Sequence, residues 1–179
     1  MKILKKVLLV LAALVGLILI TALFVKKDMH AEKEITINKS KAEVYDYIKY
    51  LKNQNSYSKW ATMDPNMRTG FRGTDATVGF VSSWESDKDD VGKGEQEIKA
   101  IKEGERIDYE LRFMEPMEST ATAYMITEPV GETQTKVKWG FNGKINYPFN
   151  IMRLFMNMEE MIGDDFQTGL NRLKTNLEK

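Results

Sequence analysis

The sequence predicts an α+β domain: an antiparallel sheet covered by one long C-terminal helix, preceded by a membrane-spanning helix. Three observations predict it. Residues 7–25 carry no charge. Between residues 77 and 142 several segments alternate apolar and polar residues and are joined by short turns, which is the pattern of antiparallel strands with one wet face. From Pro148 on, apolar residues recur at 151, 155, 158, 162, 166, 170, 173 and 177, a spacing of three and four that marks an amphipathic helix.

The apolar run Val7–Val25 is 19 residues long, and at about 1.5 Å per residue it nearly spans the ~30 Å hydrocarbon core of a bilayer. Lys5, Lys6, Lys26 and Lys27 flank it, where their amines reach the interface. The rival reading is a cleaved signal sequence. The run is longer than the ~7–15 residues of a signal core, and no clear small-x-small site follows it. A retained anchor over residues 1–27 is therefore expected, with a soluble domain over 28–179. Lys2, Lys5 and Lys6 favour a cytoplasmic N-terminus, making the protein single-pass with its domain outside the cytoplasm. Lys26 to Lys33 read as a short polar linker, with the single histidine, His30, inside it.

Charge and composition exclude several function classes. The 179 residues hold 26 basic and 26 acidic side chains, but residues 1–27 carry five lysines and no acid, leaving the remainder with a net charge of −5. Nucleic acid is not an expected partner, because phosphate binding needs a basic face. The absence of Cys excludes disulfides, thiol nucleophiles and cysteine metal sites, and one His excludes a histidine cluster. No metal, cofactor or catalytic residue is expected. The Asp87–Asp90 run lacks the spaced ligands and closing Glu of a calcium loop and reads as a solvated turn.

Glu34-Ile-Thr-Ile-Asn38 alternates as a strand. Ser40-Lys-Ala-Glu43 then has the S-x-x-E form of a capping box, opening a helix with Val44, Ile48 and Leu51 on one face. Asn53-Gln-Asn-Ser56 stops it, and Tyr57 to Trp60 reads as a further short turn. Strands are expected over Thr77–Trp84, with Val78, Phe80 and Trp84 on one face, and over Gly94–Ile101, with Gln96 and Ile98 on one face. Arg106–Phe113 places Ile107, Tyr109, Leu111 and Phe113 inward. Glu118–Thr127 is a strand whose facing the sequence leaves open, and Gln134–Asn142 places Val137, Trp139 and Phe141 inward. The closing helix is expected to run about 30 residues from Pro148, whose fixed φ suits a first turn.

The stretch Glu34-Ile-Thr-Ile-Asn-Lys-Ser-Lys-Ala-Glu-Val-Tyr-Asp-Tyr-Ile48, followed by Tyr57-Ser-Lys-Trp60, resembles the opening of the START/birch-pollen-allergen-like superfamily (SRPBCC proteins), in its polyketide cyclase/dehydrase and lipid-transport branch. The likeness covers about residues 30–178. It implies a helix-grip fold, a curved antiparallel sheet wrapped around the terminal helix with an apolar cavity between them. The N-terminal anchor departs from the soluble form of that family.

In such a fold the inward apolar side chains, mostly aromatic and methionine, become candidate ligand contacts, since both types adapt to varied apolar shapes, and Tyr124 joins them from the strand whose facing is open. They are Trp60, Phe80, Trp84, Tyr109, Phe113, Tyr124, Trp139, Phe141, Phe155, Met158 and Ile162. The expected function is membrane-tethered binding of a hydrophobic small molecule or lipid. Two alternatives stand beside it. One is an enzyme like the polyketide cyclases or dehydratases, with Tyr109 and Tyr124 as proton-transfer groups. The other is a cavity-free interaction domain working through its surface.

Overall fold

The computed structural model describes residues 2–179. Helix α1 (Lys2–Phe24) leads directly into strand β1 (Asp28–Ile37), followed by helix α2 (Lys41–Ile48) and two single 3₁₀ turns at Leu51–Ser56 and Trp60–Thr62. Six strands follow: β2 (Arg68–Arg72), β3 (Val81–Glu85), β4 (Lys93–Lys102), β5 (Arg106–Glu115), β6 (Ser119–Pro129) and β7 (Thr135–Lys144). A third 3₁₀ turn, Phe149–Leu154, precedes helix α3 (Met158–Leu177). The seven strands form one sheet in the order β1-β7-β6-β5-β4-β3-β2, every pair antiparallel. With α3 laid against it, this is the helix-grip arrangement.

Local chemistry accounts for the elements. The capping box at α2 is present: Ser40 Oγ accepts from the Glu43 N–H, and the Glu43 carboxylate accepts from the Ser40 N–H at 3.1 Å, an arrangement that stabilises a helix start by about 1 kcal/mol. Val44, Tyr45 and Ile48 on its inner face are buried. Along β5 and β7 the expected alternation holds, with Ile107, Tyr109, Val137, Trp139 and Phe141 buried. Strand β6, whose facing the sequence left open, turns Ala121, Ala123, Met125 and Thr127 inward and is hydrogen-bonded on both sides by β5 and β7.

Four expectations change. His30 and Lys33 lie in β1, which pairs with β7 from Asp28↔Lys144 onward. The eight-residue linker is therefore only Val25, Lys26 and Lys27. Strand β3 begins at Val81, because Gly79 at φ 89° and Ala76 at φ 59° turn the chain in the left-handed region. Val78 is consequently 62% exposed. The short edge strand β2 was not anticipated; only its central Gly70 is even half-buried, so it carries no alternating signal. Finally, α3 starts at Met158, where the Asn157 side chain accepts from the Glu160 N–H at 3.2 Å and fixes the N-terminus. The helix is 20 residues long, about 30 Å, and the residues before it form a separate 3₁₀ turn.

Helix α3 packs on β1 and β7 at one side of the sheet. Phe166, Leu170 and Leu173 drive into a core shared with Ile37, Val44, Ile48, Tyr57, Met125 and Val137. That core is solid at the end of the sheet capped by α2. Towards the other end, where β1 starts and β7 ends, it gives way to a hollow.

Candidate ligand cavity

The hollow has a volume of about 700 Å³, within the ~300–1,000 Å³ range of small-molecule pockets. Its back wall is aromatic. Trp139 stacks on Phe166 at 4.7 Å between ring centroids, and Trp60 meets Phe166 edge-on at 5.6 Å and Trp139 at 6.4 Å. The floor is the concave sheet face: Ser82 and Trp84 from β3, Gln96 from β4, Leu111 and Phe113 from β5, Ala121 and Ala123 from β6. Met158 and Ile162 of α3 and the segment after β7 close the roof.

Neighbouring groups hold the walls. Trp84 crosses edge-on to Phe113 at 5.9 Å, and its indole N–H donates to the Val91 carbonyl at 3.2 Å. Trp84 lies over Gly94, where a Cβ would stand 2.6 Å from the indole ring; the absence of a side chain at 94 lets the indole lie flat on the sheet. The loop between β3 and β4 is pinned by Ser86, whose hydroxyl donates to Asp64 at 2.5 Å, and by Lys88 donating to the Met63 carbonyl at 2.8 Å. The Ser86 hydroxyl and the Asn66 N–H together hold the Asp64 carboxyl below its ordinary value.

Polar groups are distributed unevenly. Gln96 is 8% exposed and presents an amide to the middle of the floor. Asp89, Asp90, Glu115, Glu118 and Lys144 border the hollow, and all come from the loops and strand ends at its mouth. Among the described residues no group of three or more acids or histidines is arranged to hold a metal ion.

Of the eleven sequence candidates, Trp60, Trp84, Phe113, Trp139, Phe141, Met158 and Ile162 line the hollow. Four do not. Phe80 stacks on Phe71 at 6.1 Å, and Tyr109 is 2% exposed; both belong to solid packing away from the hollow. Burial raises the Tyr109 hydroxyl well above its ordinary value. Tyr124 is on the opposite face of the sheet, because β6 turns its odd-numbered residues inward. There its hydroxyl donates to the Glu32 carboxylate and the Arg106 guanidinium lies 4.3 Å from its ring centroid. Burial and the neighbouring Glu32 push its pKa up to about 12. Phe155 is 83% exposed, because it precedes the start of α3 and so lies on no helical face.

Sequence reasoning missed Phe166, Leu111, Ala121 and Ala123 as lining residues. Phe166 and Leu111 were already on the predicted inner faces. The alanines gave no signal, since it is their smallness that leaves room.

Residues 28–178 match the family described as polyketide cyclase / dehydrase and lipid transport. The chain belongs to that family. No curated protein sequence matches it. Among solved structures it is similar to norcoclaurine synthase from Thalictrum flavum in complex with dopamine and hydroxybenzaldehyde, with 7% identity, a TM-score of 0.60, and coverage of 85% of this chain and 87% of that one. It is also similar to the di-domain ARO/CYC StfQ from the steffimycin biosynthetic pathway, with 11% identity, a TM-score of 0.61, and coverage of 85% and 51%. A third similar structure is Ara h 8.0201, with 13% identity, a TM-score of 0.55, and coverage of 84% and 97%. At these identities the likeness is one of fold.

Proposed function

We propose that this member of the family is a membrane-anchored binding domain that holds a hydrophobic small molecule or lipid in its cavity. The observation that carries the reading is the hollow itself: about 700 Å³, walled by Trp60, Trp84, Trp139, Phe113 and Phe166. Filled with water, a hollow of that size leaves its aromatic walls hydrated; an apolar occupant removes that surface from water, which is favourable. The family's lipid-transport membership supports the same class of ligand. Helix α1 is long and apolar enough to cross a membrane, with only 6% of its most apolar stretch buried. It supports an anchor over residues 1–27 and a domain over 28–179, and Lys2, Lys5 and Lys6 ahead of the apolar run favour a domain facing out of the cytoplasm.

The cyclase or dehydratase alternative is less well supported by the geometry. It places the charged lining groups at the mouth and both candidate tyrosines, Tyr109 and Tyr124, outside the hollow. The cavity-free alternative does not fit a hollow of this size.

All three tryptophans of the chain line the cavity, so their fluorescence reports on its occupancy. Titration of the full chain in detergent with a fluorescent fatty acid is expected to show energy transfer from tryptophan, reversed by competing lipid. Absence of transfer, together with no co-purifying lipid in mass spectra of the extracted protein, would overturn the binding reading. An alkaline-phosphatase fusion at the C-terminus is expected to be active; an inactive folded fusion would reverse the orientation.

A further inference from the structure

The cavity mouth and the end of α1 are at the same end of the sheet. Strands β1, β4 and β6 begin there and β3, β5 and β7 end there, given the antiparallel registers. The mouth is formed by their connections: the β3–β4 loop, the turn between β5 and β6, and the segment between β7 and α3.

That last segment is fastened to α1. The Asn150 side-chain amide donates to the Ala22 carbonyl at 2.7 Å and to the Val25 carbonyl at 2.8 Å, while Arg153 donates to the Asp28 carbonyl. Asn150 and Ala22 are both 0% exposed. The last carbonyls of a helix lack intrahelical partners, and here a side chain from the domain satisfies them. With only three residues between α1 and β1, the domain has a fixed attitude to the helix.

The same segment carries apolar side chains that nothing in the chain covers. Phe149 is 50% exposed, Leu154 57% and Phe155 83%, and Met117 across the mouth is 55% exposed. They continue the apolar surface of α1, whose Leu23 and Phe24 are 64% and 84% exposed. Contiguous exposed apolar surface of this kind marks an interaction site, and its continuity with α1 selects the occupant. On the far side of the mouth the β3–β4 loop is acidic, with Asp87, Asp89 and Asp90, which suits water rather than a bilayer interior.

We infer that the cavity opens onto the bilayer that holds α1, with the lip Tyr147–Met156 seated in its interfacial layer, so that the ligand enters directly from the membrane. This rests on α1 being a retained anchor. The ligand class becomes a membrane-resident lipid or a molecule dissolved among acyl chains.

The chain has no cysteine, so Phe155→Cys and Val130→Cys each carry one environment-sensitive fluorophore. Val130 is 43% exposed in the turn between β6 and β7, at the opposite end of the sheet. The full chain is reconstituted in nanodiscs of phosphatidylcholine and phosphatidylglycerol containing shallow doxyl lipids. The label at 155 is expected to be blue-shifted and quenched several-fold more than the label at 130. Equal exposure of the two labels to water would overturn the inference, as would failure of the chain to enter nanodiscs.

Loading provides the second arm. Leu154→Glu/Phe155→Glu alters the lip at two positions that do not line the cavity. It is expected to slow several-fold the transfer of a fluorescent phospholipid from vesicles to the cavity, with its equilibrium binding from detergent unchanged. Unchanged transfer would overturn entry from the membrane. If the label at 155 is buried but no probe binds at all, the binding reading fails while the seating of the lip stands.

Discussion

The contact between Asn150 and α1 yields a quantitative prediction. Asn150→Leu keeps the branched side-chain shape and removes the amide that donates both hydrogen bonds. The Ala22 carbonyl, buried against the 3₁₀ turn, is left without its partner, and so is the Val25 carbonyl at the rim. Stranding a buried acceptor costs about 1–3 kcal/mol, and a more exposed one about 1 kcal/mol. The substitution also removes Asn150 Oδ1, a buried atom with no hydrogen-bond partner in the wild type, which recovers about 1 kcal/mol. The net loss of docking free energy is about 2 kcal/mol, or about a thirtyfold rise in the undocked population. Lys26 and Lys27, exposed between α1 and β1, are the tryptic sites that report it. When undocking is fast relative to cleavage, the cleavage rate tracks the open population. Reconstituted Asn150→Leu protein should therefore release its domain by cleavage after these lysines about thirtyfold faster than wild type. Cleavage sites on the sheet should be unaffected. Equal release rates would mean that Asn150 does not hold α1, and the fixed attitude of the domain would be refuted.

Further predictions follow from the core, the sheet surface and the cavity. Gly169→Ala would bring a Cβ to 2.8 Å from Trp139 Cζ3 and 3.4 Å from the Tyr57 carbonyl; a stability loss of about 1–3 kcal/mol is expected in denaturant titration, and an unchanged midpoint would refute the close packing of α3. Arg112 donates to Glu97 at 2.8 Å and, with Lys99, holds its carboxyl below the ordinary 4.5. A depressed folded value contributes stability that is present above the unfolded value and lost as pH falls through the folded one, so the Tm gap between wild type and Arg112→Gln should narrow below pH 4.5; a constant gap would contradict the network. Tyr124→Phe removes a hydroxyl bonded to Glu32 on the outer face and should cost about 1 kcal/mol of stability without changing ligand affinity; a loss of affinity in the fluorescence titration would place Tyr124 in the site after all. Leu170→Ala in the solid core, where Leu170 is 0% exposed, should cost about 2–5 kcal/mol by thermal melts. Phe113→Ala at the hollow should cost less and weaken ligand binding more; the reverse ranking would mean that the hollow is filled by packing.

How much of this was legible in the sequence depends on the kind of signal each part leaves. Capping chemistry and alternation are local, so the Ser40/Glu43 box and the inward faces of β5 and β7 could be read directly. The break at Phe155–Asn157 was not legible, because apolar residues at 151 and 155 continue the spacing of α3 by coincidence and the Asn157 cap competes with a periodic pattern. Tyr124 was misplaced for a related reason. Strand β6 alternates Thr and Ala before Tyr124, Met125 and Ile126, so both of its faces offer moderately apolar side chains. Only pairing with β5 and β7 on either side decides which face turns in. The hollow was inferable as a consequence of fold, but its lining alanines were not, because an alanine that makes room looks the same in a sequence as one that fills it.

The position of α3 explains why a hollow exists at all. A helix of 20 residues on a seven-stranded twisted sheet can lie closely against only part of the concave face, since adjacent strands rotate by about 20–25°. Here it lies against β1 and β7, and β3, β4 and β5 curve away with Trp84, Gln96, Leu111 and Phe113 facing space rather than helix. The division runs along the strands: at the end capped by α2, Ile37, Ile107, Met125 and Val137 belong to the solid core, while at the end near α1, Trp84, Phe113, Ala121 and Phe141 wall the cavity. Substitutions at Trp84, Gln96, Leu111 or Phe113 can therefore alter what the cavity accepts at less cost to folding than substitutions at Ile107, Tyr109, Val137 or Leu170. The segment that fastens α1 through Asn150 also supplies Tyr147, Phe149 and Met152 to the cavity wall, so that the contact to α1 and the ligand wall share one stretch of chain.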